Sequence, residues 1–176
     1  MIAAIDNGLH GGIVAIDEGM QVVYQSRTPT MSNGGKRIFD INGMICVLDG
    51  LKDLGVSSVI LEEARPMRTK GDTAVTAFSV GYGFGVWTAL LVAENLPYSV
   101  VPPRTWQAVC KGVPGQDTKE RSIALCKLEL PTLDLQPGRC TTDHDGLADA
   151  GCMCLYGLRT RKISEQVQEL TKGIRR

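Results

Sequence analysis

MIAAIDNGLHGGIVAIDEGMQVVYQSR, residues 1–27, decides the architecture. Three apolar runs, MIAAID (1–6), GGIVAID (11–17) and MQVVYQSR (20–27), are separated by the short polar steps NGLH and EG. Asn-Gly and Glu-Gly between hydrophobic runs are turn signals. The segment therefore reads as a meander of three antiparallel strands, and the first of them ends on an acid, Asp6.

Downstream, TPTMSNGGKR (28–37) reads as a polar, Gly-containing loop. Phe39, Ile41, Met44, Ile45, Leu48, Leu51 and Leu54 recur at helical spacing and predict an amphipathic helix over 40–54, closed by Gly55. VSSVILEE (56–63) is a short apolar strand ending in two acids, and ARPMRTKGD (64–72) is a loop. Residues 73–94 predict a Gly-rich helix. Gly81 and Gly85 lie four apart on one face, where they would allow close approach to a sheet or another backbone. YSVVP (98–102) is a strand stopped by Pro102 and Pro103, and RTWQAVCKG (104–112) starts another helix. Asp117 caps a helix over 118–130, and GLADAGCMCLYGLR (146–159) is the last strong helix. The order, three meander strands followed by alternating helices and strands, implies an α/β class with a mixed, five-stranded central sheet flanked by helices. Residues 1–159 form the expected domain, and 160–176 an expected basic C-terminal tail.

The chain has 176 residues, 43% of them hydrophobic and 22% charged, the composition of one globular domain with a sizeable core. No stretch reads as a membrane span and no signal peptide is visible. The expected location is the cytoplasm, or an organellar matrix if a presequence has been removed. Lys and Arg balance Asp and Glu at 19 each, so global charge neither suggests nor excludes a polyanionic partner. The six cysteines are scattered through apolar runs, as in a reduced protein. A zinc site from Cys140, His144, Cys152 and Cys154 is disfavoured. It lacks a paired C-x-x-C, and Cys152 and Cys154 on one helix would project about 200° apart.

The chemistry-bearing pattern is acids set against apolar sequence. Asp6 follows IAAI, and Glu62 follows VIL. Asp145 and Asp149 are i and i+4 at the start of the last core helix, so they share a face. Asp149 sits among Ala148, Ala150, Gly151, Cys152 and Met153, where a core-facing carboxylate is costly without a partner. Each acid also has a plainer reading. Asp6 before Asn7-Gly8 suits a turn, Glu62 and Glu63 suit a solvated strand end, Asp143 or Asp145 suits a helix N-cap, and Asp149 could face solvent. Taken together they form a set suited to hard divalent cations, and two such ions about 4 Å apart can clamp a phosphodiester.

These segments resemble the RuvC-type Holliday-junction resolvases. IDNGLHGGIVAID (5–17) is similar to that family's first hairpin, and VILEE (59–63) to its second acidic strand. FSVGYGFGVWTALLVAENLPYSVVPPRTWQ (78–107) is similar to the helix-strand-helix that follows, and HDGLADAGCMCLYGLR (144–159) to its metal-binding helix. The resemblance covers residues 1 to about 159 in the family's order. It implies an RNase H-like fold and a homodimer acting on branched double-stranded DNA. It also implies Mg²⁺, with Mn²⁺ as substitute and two ions per site, held by Asp6, Glu62, Asp145 and Asp149. No nucleotide cofactor and no membrane are implied. Two departures stand out: Asn7 replaces the usual proline, and the Asp145–Asp149 spacing is one longer than D-x-x-D, as in a divergent phage or organellar branch. The second leaves open whether Asp143 or His144 joins the metal site.

For DNA contact the candidates are Arg65, Arg68 and Lys70 after Glu62, Lys36 and Arg37 in another loop, and Lys119 and Arg121 with Lys111 in a second patch. Met67 and Phe78 are candidate apolar wedges at a junction centre, Phe78 being better placed in a core stripe. Rival readings are an RNase H-like nuclease of RNA–DNA hybrids and a non-catalytic nucleic-acid-binding module of the same fold. The first hairpin also resembles that of actin-like and sugar-kinase ATPases, but those need two such domains. The P-loop motif is absent.

Overall fold

The computed structural model describes residues 1–64 and 73–174, with side chains through 165. Five strands form one mixed sheet: β1 (Ile2–Ile5), β2 (Gly12–Ile16), β3 (Val22–Arg27), β6 (Ser58–Glu62) and β7 (Tyr98–Val101). Their order is β3-β2-β1-β6-β7; β1, β2 and β3 pair antiparallel, whereas β1, β6 and β7 run parallel. This is the expected meander extended by two crossover strands.

The sheet is covered on both faces, and strand parity sorts the residues. Ile2, Ala4, Val14, Ile16 and Ile60 pack on one face under the long helix α5 (Asp145–Ile174) and helix α4 (Thr118–Glu129). Ala3, Ile5, Ile13, Ala15, Val59 and Leu61 pack on the other, under α1 (Ile41–Asp53) and α2 (Ala74–Ala93). Period-two alternation thus gives each strand one residue set per layer. Asp40 caps α1, accepting from the Gly43 amide at 3.1 Å, and Gly55 follows it at φ +73°. Asp117 caps α4 through the Glu120 amide at 2.9 Å.

The outer edge of β3 is covered by the segment after α4. The Val22 amide donates to Thr132 Oγ1 at 3.2 Å, and Gln25 exchanges bonds with the Asp134 backbone at 2.8 and 2.9 Å. A covered edge leaves no free template for pairing with another chain.

Several expectations change. Residues 28–37 are not all loop: β4 (Thr30–Asn33) and β5 (Lys36–Phe39) form a hairpin. Gly34 and Gly35 make its two-residue turn at φ +56° and +78°, the backbone a tight hairpin demands. Ser32, Asn33, Lys36 and Arg37 beside the turn are polar and exposed, so they carry no alternation to reveal strands. RTWQAVC divides into a short α3 (Pro103–Trp106) and a 3-10 turn (Gln107–Cys110). In α2 the close approach belongs to Gly83, where a Cβ would lie 2.4 Å from the Asn7 carbonyl oxygen, while Gly81 and Gly85 face open space. The α2 segment also meets the length and apolar composition of a membrane span, contrary to the sequence reading. Its Gly, Ala, Ser and Thr residues dilute the hydrophobic ones without adding charge. α5 is continuous across residue 159, where the tail was expected to begin.

Candidate functional site

Parity and register place the first two acids. Ile5 of β1 pairs with Leu61 of β6, so Asp6 and Glu62 are the next step of the same parallel register. They follow Ala4 and Ile60 by two residues and so emerge on the α5 face. Asn7, 3% exposed, fixes the two strand ends together: its side-chain amide donates to the Glu62 carbonyl at 2.7 Å. This residue, read only as a tolerated replacement for proline, holds the register at the site.

Glycines bring the other two acids in. Gly11, just before β2, forms an isolated bridge with Gly146 at the start of α5. A Cβ on Gly146 would stand 2.5 Å from the His10 carbonyl oxygen, and one on Gly12 would stand 2.8 Å from Gly146 backbone atoms. Only glycine permits this contact. It sets the first turn of α5 against the end of β1, and Asp145 and Asp149 project from that turn. The helix is capped by an imidazole: His144 Nδ1 accepts from the Leu147 amide at 3.2 Å, in place of the expected Asp143 or Asp145. Asp143 turns away to Lys127 at 2.6 Å and Gln136 at 3.0 Å, which hold its carboxyl below the usual range.

The four acids are half-buried and feel one another. Burial, then Glu62 and Asp145, push Asp6 up to about 7, against a lowering contact from the Gly8 amide at 3.1 Å. Burial and Asp149 push Glu62 up to about 7, although Trp106 Nε1 donates to its Oε1 at 3.0 Å. Burial, with Asp6 and Asp145, raises Asp149 to about 7, opposed by the Ser122 hydroxyl. Burial also pushes Asp145 upward, but the Lys119 ammonium on its Oδ2 outweighs this and holds it below the usual range. Trp106 and Ser122 are fully buried. Neither was singled out in the sequence; a buried Trp or Ser carries no signal until its partner is known.

Among the described residues, no three His, Cys, Asp or Glu side chains stand close enough to hold an ion as they are. The donor set is nevertheless all carboxylate oxygen, suited to hard divalent cations. The mutual elevation of Asp6, Glu62 and Asp149 is the excess negative charge that such a cation relieves. The residues fit the group. The cysteine alternative does not assemble: Cys154 Sγ donates to the Val14 carbonyl at 3.2 Å, Cys152 lies 3.8 Å from both Cys110 and Cys126, and Cys140 accepts from Arg27 at 3.6 Å.

The basic candidates divide. Lys119 belongs to the acid cleft. Arg121 and Lys111 line a separate cavity with Arg104. Lys36 and Arg37 stand on the β4–β5 hairpin beside an apolar groove containing Phe78 and Tyr82. Arg65, Arg68, Lys70 and Met67 lie outside the described residues. Phe78 is not a core residue: it is 72% exposed, stacked on Tyr82 with centroids 6.1 Å apart, because the side of α2 that carries it faces away from the sheet.

No protein-family model matches the chain, and no curated protein matches it in sequence. Solved structures do. A Thermus thermophilus RuvC in complex with a Holliday junction substrate superposes with a TM-score of 0.62 at 17% identity, covering 92% of this chain and 94% of that one. Another Thermus thermophilus RuvC structure gives 0.60 at 19% identity, covering 92% and 95%. The chain therefore has the RNase H-like fold of the RuvC structures.

Proposed function

We propose that this chain is a divalent-metal-dependent endonuclease that resolves branched DNA, cutting four-way junctions by paired nicks. The observation that carries the reading is the convergence of Asp6, Glu62, Asp145 and Asp149 from two parallel strand ends and one helix start. The likeness in fold to a RuvC bound to a Holliday junction supports the choice of substrate. Mg²⁺ or Mn²⁺, as a pair of ions, would be held by these carboxylates and would supply charge stabilisation to the phosphoryl oxygens during hydrolysis. The protein's own work is positioning. Asn7 locks the strand ends, Trp106 orients Glu62, Ser122 orients Asp149 and Lys119 keeps Asp145 ionised.

A homodimer belongs to the same reading, since a two-fold pair presents one site to each of two symmetric strands. The side of α2 turned away from the sheet carries Phe78, Gly81, Gly85 and Val92, all exposed and spaced as one helical stripe. A second copy would cover it. Incubation with matched four-way junction, linear duplex and RNA–DNA hybrid in Mg²⁺ tests the function. Paired nicks in the junction, abolished by EDTA, are expected. Preferential cleavage of the hybrid would turn the reading to a hybrid nuclease, and metal binding with no cleavage of any of the three would leave a binding module.

A further inference from the structure

Beside the acid cleft, beyond the Gly11–Gly146 contact, lies a polar cavity of about 520 Å³. His10, Arg27, Thr28, Arg37 and His144 line it, and among the described residues no Asp or Glu does. The chain has two histidines, and both are here.

The hydrogen bonding makes the wall one of donors. Arg37 lies 3.0 Å from His10 Nδ1; a guanidinium can only donate, so that nitrogen accepts. His144 Nδ1 accepts the Leu147 amide. A neutral imidazole that accepts at Nδ1 carries its proton on Nε2, so both rings have Nε2–H left to give. Two guanidiniums add further donors, and among the described residues neither Arg27 nor Arg37 is ion-paired with a carboxylate. What satisfies this set is a compact anion with several acceptor oxygens.

We propose that this cavity seats one phosphate group of the nucleic-acid backbone, next to the acid cleft, and so sets where the strand lies across the carboxylates. The assignment rests on the proposed nuclease function for its choice of backbone phosphate over free phosphate. It adds Arg27, His10 and His144 to the residues that sequence alone suggested for nucleic-acid contact.

Two measurements on the full chain test it. First, inorganic phosphate is titrated while the ring-proton NMR signals of the two histidines are followed. Saturable shifts of both signals are expected, lost in an Arg27→Gln, Arg37→Gln double variant. Second, four-way-junction binding is measured in chelator over a range of salt. The double variant should lose affinity on the order of tenfold. Its salt slope should fall by about one, because both arginines serve a single phosphate. Arg37→Gln alone, on an exposed hairpin, should move affinity the same way and guards against misfolding of the double variant. Histidine shifts with unchanged junction affinity would mean a site for free phosphate and overturn the backbone assignment. A slope change near two would overturn the single seat, and absence of both effects would overturn the cavity altogether. Wild-type protein that cuts no nucleic acid, yet shows the expected shifts and slope, would remove the nuclease function and leave the seat standing.

Discussion

The acid cleft and the cavity beside it share one wall, the Gly11–Gly146 contact, yet are chemical opposites. The cleft collects acceptors: four carboxylates, three of them raised to about 7 by burial and each other. The cavity collects donors and, among the described residues, holds no carboxylate. The cleft's arrangement is costly alone, since like charges gathered at half-buried positions repel. Together they suit one ligand that brings cations to the first and an anionic oxygen cluster to the second. On that reading, a chain with no net charge would take a polyanion by separating sign locally rather than globally.

The sharpest way to break the comparison is to remove the acid side. Asp6→Asn, Glu62→Gln and Asp149→Asn should each reduce junction cleavage by roughly 10³-fold or more, while junction binding in chelator is unchanged or stronger. Cleavage assays with parallel binding curves check this. Near-normal cleavage by the Asp6 or Glu62 variant would sink the assignment. Asp143→Asn should cut normally, because Asp143 is committed to Lys127 and Gln136.

A second test separates the sites by pH. Asp6, Glu62 and Asp149 have folded-state values above their ordinary 3.8 or 4.5, so protonation favours the folded state. Their contribution to stability is fully present below those ordinary values and is lost as pH rises through about 7. Metal-free protein should therefore melt at lower temperature at pH 8 than at pH 5.5. Mg²⁺ should raise Tm more at pH 8, where the carboxylates are ionised, and Asp149→Asn should flatten the pH dependence. Thermal melts with and without EDTA read this out. A Tm insensitive to Mg²⁺ at pH 8 would show that the cleft holds no cation.

What the sequence made legible follows from where the signal lies. The strands β1, β2, β6 and β7 are apolar runs bounded by turn residues, and four acids interrupt apolar sequence at their ends or at the start of α5. Both are local patterns. The β4–β5 hairpin escaped because Ser32, Asn33, Lys36 and Arg37 beside its turn are all polar, leaving Gly34-Gly35 without flanking alternation. Phe78 was misplaced because helical spacing cannot say which face meets the sheet; Gly83, two residues from each of Gly81 and Gly85, decides that. Trp106, Ser122 and Asn7 act through partners 27 or more residues away, and no spacing rule reaches that far.

The smallest expected effect concerns one hydrogen bond. Trp106 Nε1 donates to Glu62 Oε1 at 3.0 Å, and the ring is fully buried. Trp106→Phe keeps an aromatic ring in the layer but removes the donor. That bond favours the ionised carboxylate and works against the burial that raises Glu62. Its loss should push Glu62 higher still, so that at neutral pH more of it is protonated and unable to bind a cation. Cleavage at pH 7 should fall about tenfold, consistent with a hydrogen bond to a charged group. The loss should shrink as pH is raised toward 9, and the acid limb of the rate profile should move to higher pH. A purely structural role for Trp106 would lower the rate equally at every pH and leave that limb in place. The pH profile, rather than the rate at one pH, therefore decides whether Trp106 positions Glu62 or merely fills the layer beneath it.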